Sequence, residues 1–543
     1  MRRLTLSVCL VAVAATPGVA SGASFKYGVA AGEVTSSSAR LWARPPRAGL
    51  TEVLVSARSS HFGHGTRSAL VRALASADHT VQVTVHRLHP GTKYFYRWIM
   101  GRARSVIGSF TTAPSANQSR TIRFAWSGDA DAQPAVGSRT PYYNSIGDQS
   151  FAVYRAMQRE HNMFNVNLGD TIYSDSEVPG RNALAVTRAQ KDAKYRQNLA
   201  LRNLSNLRGA AAFLTHPDDH EFVNDFARHE QLQAKTPSGA KFFVNDHQIY
   251  LPSVRAFRDY APVGYSRSNG FYRVFHWGKN LDVFFLDERS FRSAKAGSPS
   301  VHTCDNPQTG KPDLAPTAPQ SKRNLFAFLV PSLSQPVSPA CLAAIRDPNR
   351  TMLGNRQEAA FFHAIGSSKA TFKVIMNEVN IQQYYAFPYD NYEGYEADRQ
   401  RVLHYLHDHV KNSIFLTTDV HANLVNDARF DTFPPGNAPP ANSGILDVTT
   451  GPVATMSFKR EINMNTGQDP GTGTNGSTID GAFFTPPPPN GVGMSCSVMD
   501  TFSYGEVTAS STQLTINLKD QNGQPIHEEE GSKPACPAIV LNK

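Results

Sequence analysis

Met163-Phe164-Asn165-Val166-Asn167-Leu168-Gly169-Asp170 is an apolar run that stops on a glycine and a carboxylate. Three other runs end in the same manner. Arg120–Ser127 precedes Gly128-Asp129, Ala211–Thr215 precedes Asp218-Asp219-His220-Glu221, and Ile414–Thr417 precedes Asp419-Val420-His421. A strand covered on both faces reads as a near-continuous apolar run, and the residues just past its end land on one rim of the sheet. Several such strands would focus carboxylates and imidazoles on one point. Carboxylates that close repel one another unless cations lie between them. The pattern therefore predicts a metal centre built from strand-end loops.

Around these runs the chain alternates helix and strand. Asp148–Glu160 places Phe151, Tyr154 and Met157 on one side of a helix, and Val186–Leu201 reads as a second helix. Phe271–Trp277 and Leu281–Leu286 read as an antiparallel pair about Gly278-Lys279-Asn280. Arg356–Ile365, Thr371–Met376, Tyr395–His409 and Ile414–Thr417 then give helix, strand, helix, strand, which is α/β organisation. Tyr504–Thr508 and Gln513–Leu518 form a closing hairpin. Upstream, 25–113 is all-β in character, with strands at Thr51–Ala57, Thr80–Val85 and Tyr94–Met100, and predicts a small sandwich of fibronectin or immunoglobulin type. Two stretches interrupt the α/β region expected over 120–543. Ala294–Pro339 is rich in Pro and Ser, Gly467–Gly493 in Gly, Pro and Thr, and both read as structureless insertions, with a lid or disorder as readings of the second.

The 543 residues exceed one ordinary domain, and 40% hydrophobic with 18% charged content is that of a folded protein. Residues 1–23 read as a secretory leader: Arg2-Arg3, the apolar run Leu4–Ala15, then small residues for cleavage. That run is shorter than the ~20 residues a spanning helix needs, and no later segment spans a membrane. A secreted, periplasmic or cell-surface protein is expected, by a Sec or a twin-arginine route. The net charge of +10 favours anionic substrates or surfaces, yet no Lys/Arg block marks a nucleic-acid arm. Cys9 leaves with the leader, and Cys304, Cys341, Cys496 and Cys536 remain. Of the three pairings, Cys304–Cys341 and Cys496–Cys536 join the members nearest in sequence.

The strand-end residues carry the chemistry. Glycine before Asp129 and Asp170 lets the chain turn sharply so that each carboxylate faces a cavity. His220, flanked by carboxylates, suits a general acid, because nearby negative charge raises an imidazole pKa. Asn224 and Asp225 lie close enough downstream to support it. Asp419 and His421, two apart in an extended segment, point to one side and reach one ion together. Asn377-Glu378 after Val374-Ile375-Met376 is a further candidate. Oxygen donors with one or two imidazoles favour Ca, Mn, Fe or Zn. Two or more cations would polarise a phosphoryl group and supply metal-bound hydroxide near neutral pH.

At these residues the chain resembles the PhoD-type alkaline phosphatases, within the calcineurin-like metallophosphoesterases, over most of its length. Leu168-Gly169-Asp170-Thr171-Ile172-Tyr173 resembles the family's LGDxIY, Asp218-Asp219-His220-Glu221 its DDHE, and Thr418-Asp419-Val420-His421 its GDVH. Leu286-Asp287-Glu288-Arg289 with Arg292 resembles LDxRxxR, and Tyr392–Arg401 resembles WDGYxxERxR. Phe25–Pro45 and Gly91–Arg97 resemble the family's N-terminal β-module. The resemblance implies a four-layer α/β/β/α sandwich preceded by that module, and hydrolysis of phosphate mono- or diesters. It implies Asp129, Asp170, Asp219, Asp419 and His421 as metal ligands, Tyr173 as a phenolate ligand, and His220 with Asp219 at the catalytic step. Arg289, Asn224 and Asn377 would contact phosphate or support the ligands. Many relatives carry Ser-Cys-Gln at the first motif, with the cysteine on iron; here the stretch is Ser127-Gly128-Asp129, and a carboxylate is a harder ligand. Thr418 for Gly and Tyr392-Glu393 for Trp-Asp mark a divergent member. The alternatives are a phosphodiesterase or phospholipase D-like activity, and a non-catalytic surface binding protein that keeps the fold.

Overall fold

The computed structural model describes residues 24–58, 60–143, 150–181, 183–228, 230–236, 240–298, 301–528 and 535–543. The leader over 1–23 and the first residues of the helix expected from Asp148 lie outside them.

Period-two burial builds the layers. In Ile122–Ser127, Phe124 and Trp126 enter one core and Ala125 another. In Ala212–His216, Ala212 and Leu214 share the first core and Phe213 the second. In Leu281–Phe285, Phe372–Met376 and Ser413–Thr417, residues Val283, Val374 and Ile414 face that same first core, while Phe284, Ile375 and Phe415 face a third. Successive side chains of a strand point to opposite faces, so each strand serves two layers. The first core lies between two sheets. The second is closed by helices Ala152–Arg159, Arg188–Leu199, Arg202–Ala210 and Asp246–Tyr260, and the third by Asn355–Ser367 and Glu396–His409. The expected α/β/β/α layering is what the structure holds.

The first sheet has nine strands, in spatial order Ile539–Asn542, Gln513–Asp520, Ser503–Ala509, Ile122–Ser127, Phe164–Leu168, Ala212–His216, Val29–Gly32, Ser38–Ala43 and Val81–His86. Its three central strands are parallel and nearly in register, Asn167 pairing with Ser127 and Leu168 with His216. Their C-terminal ends therefore reach one rim together. The second sheet has seven strands, with Leu281–Phe285, Phe372–Met376, Ser413–Thr417 and Leu446–Thr449 parallel at its centre. Of the N-terminal strands, Gly49–Ser56, Arg67–Ala73, Lys93–Met100, Ala103–Arg104 and Gly108–Thr111 form their own sheet. Val29–Gly32, Ser38–Ala43 and Val81–His86 instead extend the nine-stranded sheet, through Ala31 beside Ala212.

Both stretches read as structureless are built. Gln320–Phe326 and Pro331–Ser334 are helical in the first, with a further helix, Pro339–Ile345, starting at its end, and Asn475–Ile479 and Asp480–Phe484 are helical in the second. Phe326 and Leu333 pack with Phe483, Phe484 and Val492 in one cluster. These scattered large side chains supply apolar area that the Pro, Ser and Gly content conceals. Disulfides join Cys304 to Cys341 and Cys496 to Cys536, as the spacing predicts. Closing loops of 37 and 40 residues removes about 4 kcal/mol of unfolded-chain entropy each.

Candidate metal centre

The two rims are tied together by side chains that donate to backbone carbonyls across them. The Trp126 indole N–H donates to Thr417 O at 3.1 Å, and the Thr418 hydroxyl donates to Leu168 O at 2.6 Å. A Cβ at Gly128 would lie 2.9 Å from Leu168 O and 3.0 Å from the Thr418 side chain, so only glycine lets the loops approach this closely. At Gly169, φ is +89° and a Cβ would fall 2.3 Å from that of Asp218. Four residues at three of the tips adopt left-handed backbone: φ is 60° at Asp129, 48° at Asp170, 65° at Asp419 and 58° at His421. Such conformations cost of order 1–3 kcal/mol each and persist where surrounding structure fixes them.

That fixing is visible. Glu221 accepts from three backbone N–H groups, those of Asp218 at 2.8 Å, Asp170 at 3.0 Å and Thr171 at 2.7 Å, locking two loops to one carboxylate. Buried Lys191 donates to Ser174 Oγ, Glu221 O and Phe222 O. Asp129 Oδ1 accepts from Asp419 N at 3.3 Å, Asp170 Oδ1 from His220 N at 3.1 Å, and Asp219 Oδ2 from Asp225 N. In each case the other oxygen is buried with no hydrogen-bond donor: Asp129 Oδ2, Asp170 Oδ2 and Asp219 Oδ1. Asp218 Oδ2 is left the same way. A buried, unbonded carboxylate oxygen costs on the order of 1–3 kcal/mol, and four in one place fit cations as the missing partner.

The candidate ligand atoms group accordingly. Asp129, Asp170 and His421 offer atoms all within 4.8 Å of one another, as do Asp170, Asp219 and His220, and Asp218, Asp219 and Asp419. Asp170 is common to the first two groups and Asp219 to the last two. The Tyr173 hydroxyl lies 3.1 Å from His421 Nε2, and its ring stacks on His220 with centroids 4.0 Å apart. Burial pushes Asp129 up to about 6 and Asp170 and Asp419 well above their ordinary range. Burial opposes charge on His421 too, yet Glu461, Asp129 and Glu177 push it up to about 10. Without cations this cluster competes for protons; bound cations replace them and leave the imidazole neutral to ligate.

The other expected residues take different places. Arg289 is wholly buried, 2.5 Å from Asp218, 2.7 Å from Asp390 and 3.0 Å from Asp419. Asn224 is exposed and contributes its backbone N–H to Asp175 Oδ2 at 2.8 Å. Asn377 is buried, and its amide donates to Val379 O within its own loop. Three residues escaped sequence reasoning. Asp175 Oδ1 lies 2.8 Å from His220 Nδ1, Glu461 Oε1 lies 2.6 Å from His421 Nδ1, and Asp390 pairs with Arg289 and Arg292. Asp175, two residues beyond Tyr173, had a signal in its closeness to the LGDxIY match; Glu461, on the helix Phe458–Asn465, had none.

A family model for PhoD-like phosphatases matches residues 140–483, and a model for their N-terminal domain matches 12–114. Alkaline phosphatase D of Bacillus subtilis (strain 168) is 26% identical over 446 residues, covering 75% of this chain and 66% of that protein, so the match spans just under two thirds of that relative. A solved structure of PhoD superposes with a TM-score of 0.70 at 20% identity, over 96% of this chain and 91% of that one. A purple acid phosphatase from yellow lupin (Lupinus luteus) seeds gives a TM-score of 0.53 at 12% identity, over 95% and 74%. The resemblance read from the motifs and the fold class it implied are both borne out.

Proposed function

The chain belongs to the PhoD-like phosphatase family, and from that premise we propose that it is an exported, metal-dependent phosphoric ester hydrolase. The observation that carries the reading is the convergence of Asp129, Asp170 and Asp219, each with one oxygen pinned by backbone N–H and one open. Asp129, Asp170, Asp219, Asp419 and His421 would hold two or more cations, with Tyr173 as a further ligand. Bound there, such ions supply Lewis acidity toward phosphoryl oxygens and acidify water.

The chain's own groups do the rest. His220 gives its Nδ1 to Asp175, which orients the ring and leaves Nε2 to protonate the departing oxygen. Burial would discharge this imidazole, but Asp175, Asp219 and Asp170 hold its pKa well above the usual value, so the proton is present when needed. Arg289 holds Asp218, Asp390 and Asp419 in place, and with Arg292 and Lys295 it keeps Asp390 ionised. Glu461 holds His421 from behind through Nδ1. The two disulfides support export, since such bonds persist in oxidising compartments. Among the described residues no helix is long and apolar enough to cross a membrane.

The test is a chromogenic monoester and a matching diester, assayed from mildly acidic to alkaline pH after chelation and restoration of Ca, Mn, Fe or Zn. Turnover of the monoester is expected. Preference for the diester would favour the phosphodiesterase or phospholipase D-like alternative, and turnover of neither with any metal would leave a binding protein. His220→Ala should keep its metal while turnover drops about 10²-fold; unchanged turnover would remove His220 from the mechanism.

A further inference from the structure

Away from the metal centre, a hollow of about 340 Å³ opens between the N-terminal strands and two helices. Its wall carries four arginines and one carboxylate: Arg40, Arg188, Arg255, Arg258 and Asp259, with the Gln82 amide beside them. They come from separate elements, Arg40 from the strand Ser38–Ala43, Arg188 from the first turn of Arg188–Leu199, and Arg255, Arg258 and Asp259 from the end of Asp246–Tyr260. We propose that this hollow is a second anion site, one that takes a short chain of phosphoryl groups.

Three observations point there. The lone acid does not balance the wall, because Asp259 is already taken up by Arg188. Helix-end chemistry explains Arg258, whose charge suits the last turn of its helix. Arg188, at the start of its helix, is held by the Asp259 and Asp192 carboxylates, and neither reason applies to Arg40 or Arg255. Finally, the arginines are anchored unequally. Arg40 donates to Val263 O, and Arg258 lies over the Tyr265 ring at 5.0 Å, whereas Arg255 is exposed with its guanidinium open. Guanidinium forks bind phosphoryl oxygens in pairs. The volume lies in the range of small-molecule sites and has room for roughly ten waters, more than one tetrahedral oxyanion fills. The site is independent of whether the metal centre hydrolyses anything.

The experiment is calorimetric titration with methylenediphosphonate, whose P–C–P bridge resists hydrolysis, in saturating orthophosphate to occupy the metal centre. The wild-type protein and R255A/R258A are compared. Both residues are exposed, so the variant should fold and keep its turnover of a small ester. The expected result is binding by the wild type that weakens at least tenfold in the variant and falls with added salt. Equal affinity in the two proteins would overturn the site. So would orthophosphate abolishing diphosphonate binding to the wild type, which would mean that the hollow holds one phosphoryl group or none.

Discussion

The two sheet rims that meet at the centre handle crowded carboxylates in opposite ways. On the nine-stranded side, Asp129 and Asp170 each keep a buried oxygen without a donor. Burial pushes Asp129 up to about 6. On the seven-stranded side, Arg289 is built into the cluster against Asp390 and Asp419, and it reaches across to Asp218 on the other rim. Burial would raise Asp390, yet Arg289, Arg292 and Lys295 hold it well below the ordinary carboxylate range. The difference teaches what each side asks of solvent. The seven-stranded rim brings part of its counter-charge with it in Arg289; the open oxygens of the nine-stranded rim have no such built-in partner and fit an added cation.

Four substitutions would break or sharpen this contrast. Arg289→Met should act most strongly, because it strands buried carboxylates without their cation. A loss of about 3–5 kcal/mol is expected, read from urea unfolding; a variant as stable as the wild type would mean that Arg289 is not the built-in counter-charge. Asp170→Asn removes the carboxylate common to two candidate groups. Metal content by elemental analysis should fall and turnover should drop beyond the ~100-fold that loss of an outer partner costs. Full metal content would show that the open oxygens are not where ions sit.

Asp390→Asn should cost about 1.5–3 kcal/mol at neutral pH, the worth of hydrogen bonds to charged groups. Because the folded carboxyl is depressed, its contribution is present above the ordinary value of 3.8 and lost as pH falls below it. The unfolding free energies of variant and wild type should therefore converge in acid; a gap independent of pH would mean that packing, not charge, carries the effect. The smallest effect is expected of Glu461→Gln, which weakens the support behind His421. Metal affinity should fall about tenfold in chelator competition with the fold unchanged, and an unaltered affinity would make the 2.6 Å contact structural alone.

The strands, their polarity and the acidic tips were legible because each is a local pattern. Phe164–Leu168 buries every residue and then turns on Gly169-Asp170 wherever it is placed. The partners behind the tips were not legible. Asp175 lies 45 positions from His220 and Glu461 lies 40 from His421, and neither spacing leaves a periodic trace. The insertions misled for a related reason: Pro, Ser and Gly dominate their composition, while Phe326, Leu333, Phe483 and Phe484 decide their packing. Likewise the strand at Val29–Gly32 gives no sign of joining the distant Ala212–His216.

From the sequence alone came the α/β order, the paired cysteines and the residue types that end each strand, since these depend on burial along single segments. Only the tertiary structure decided which rim receives a guanidinium and which keeps open oxygens. Those outcomes depend on how two separately formed sheets stack, as where Thr418 reaches Leu168 O and Asp419 N reaches Asp129, and no single segment contains that relation.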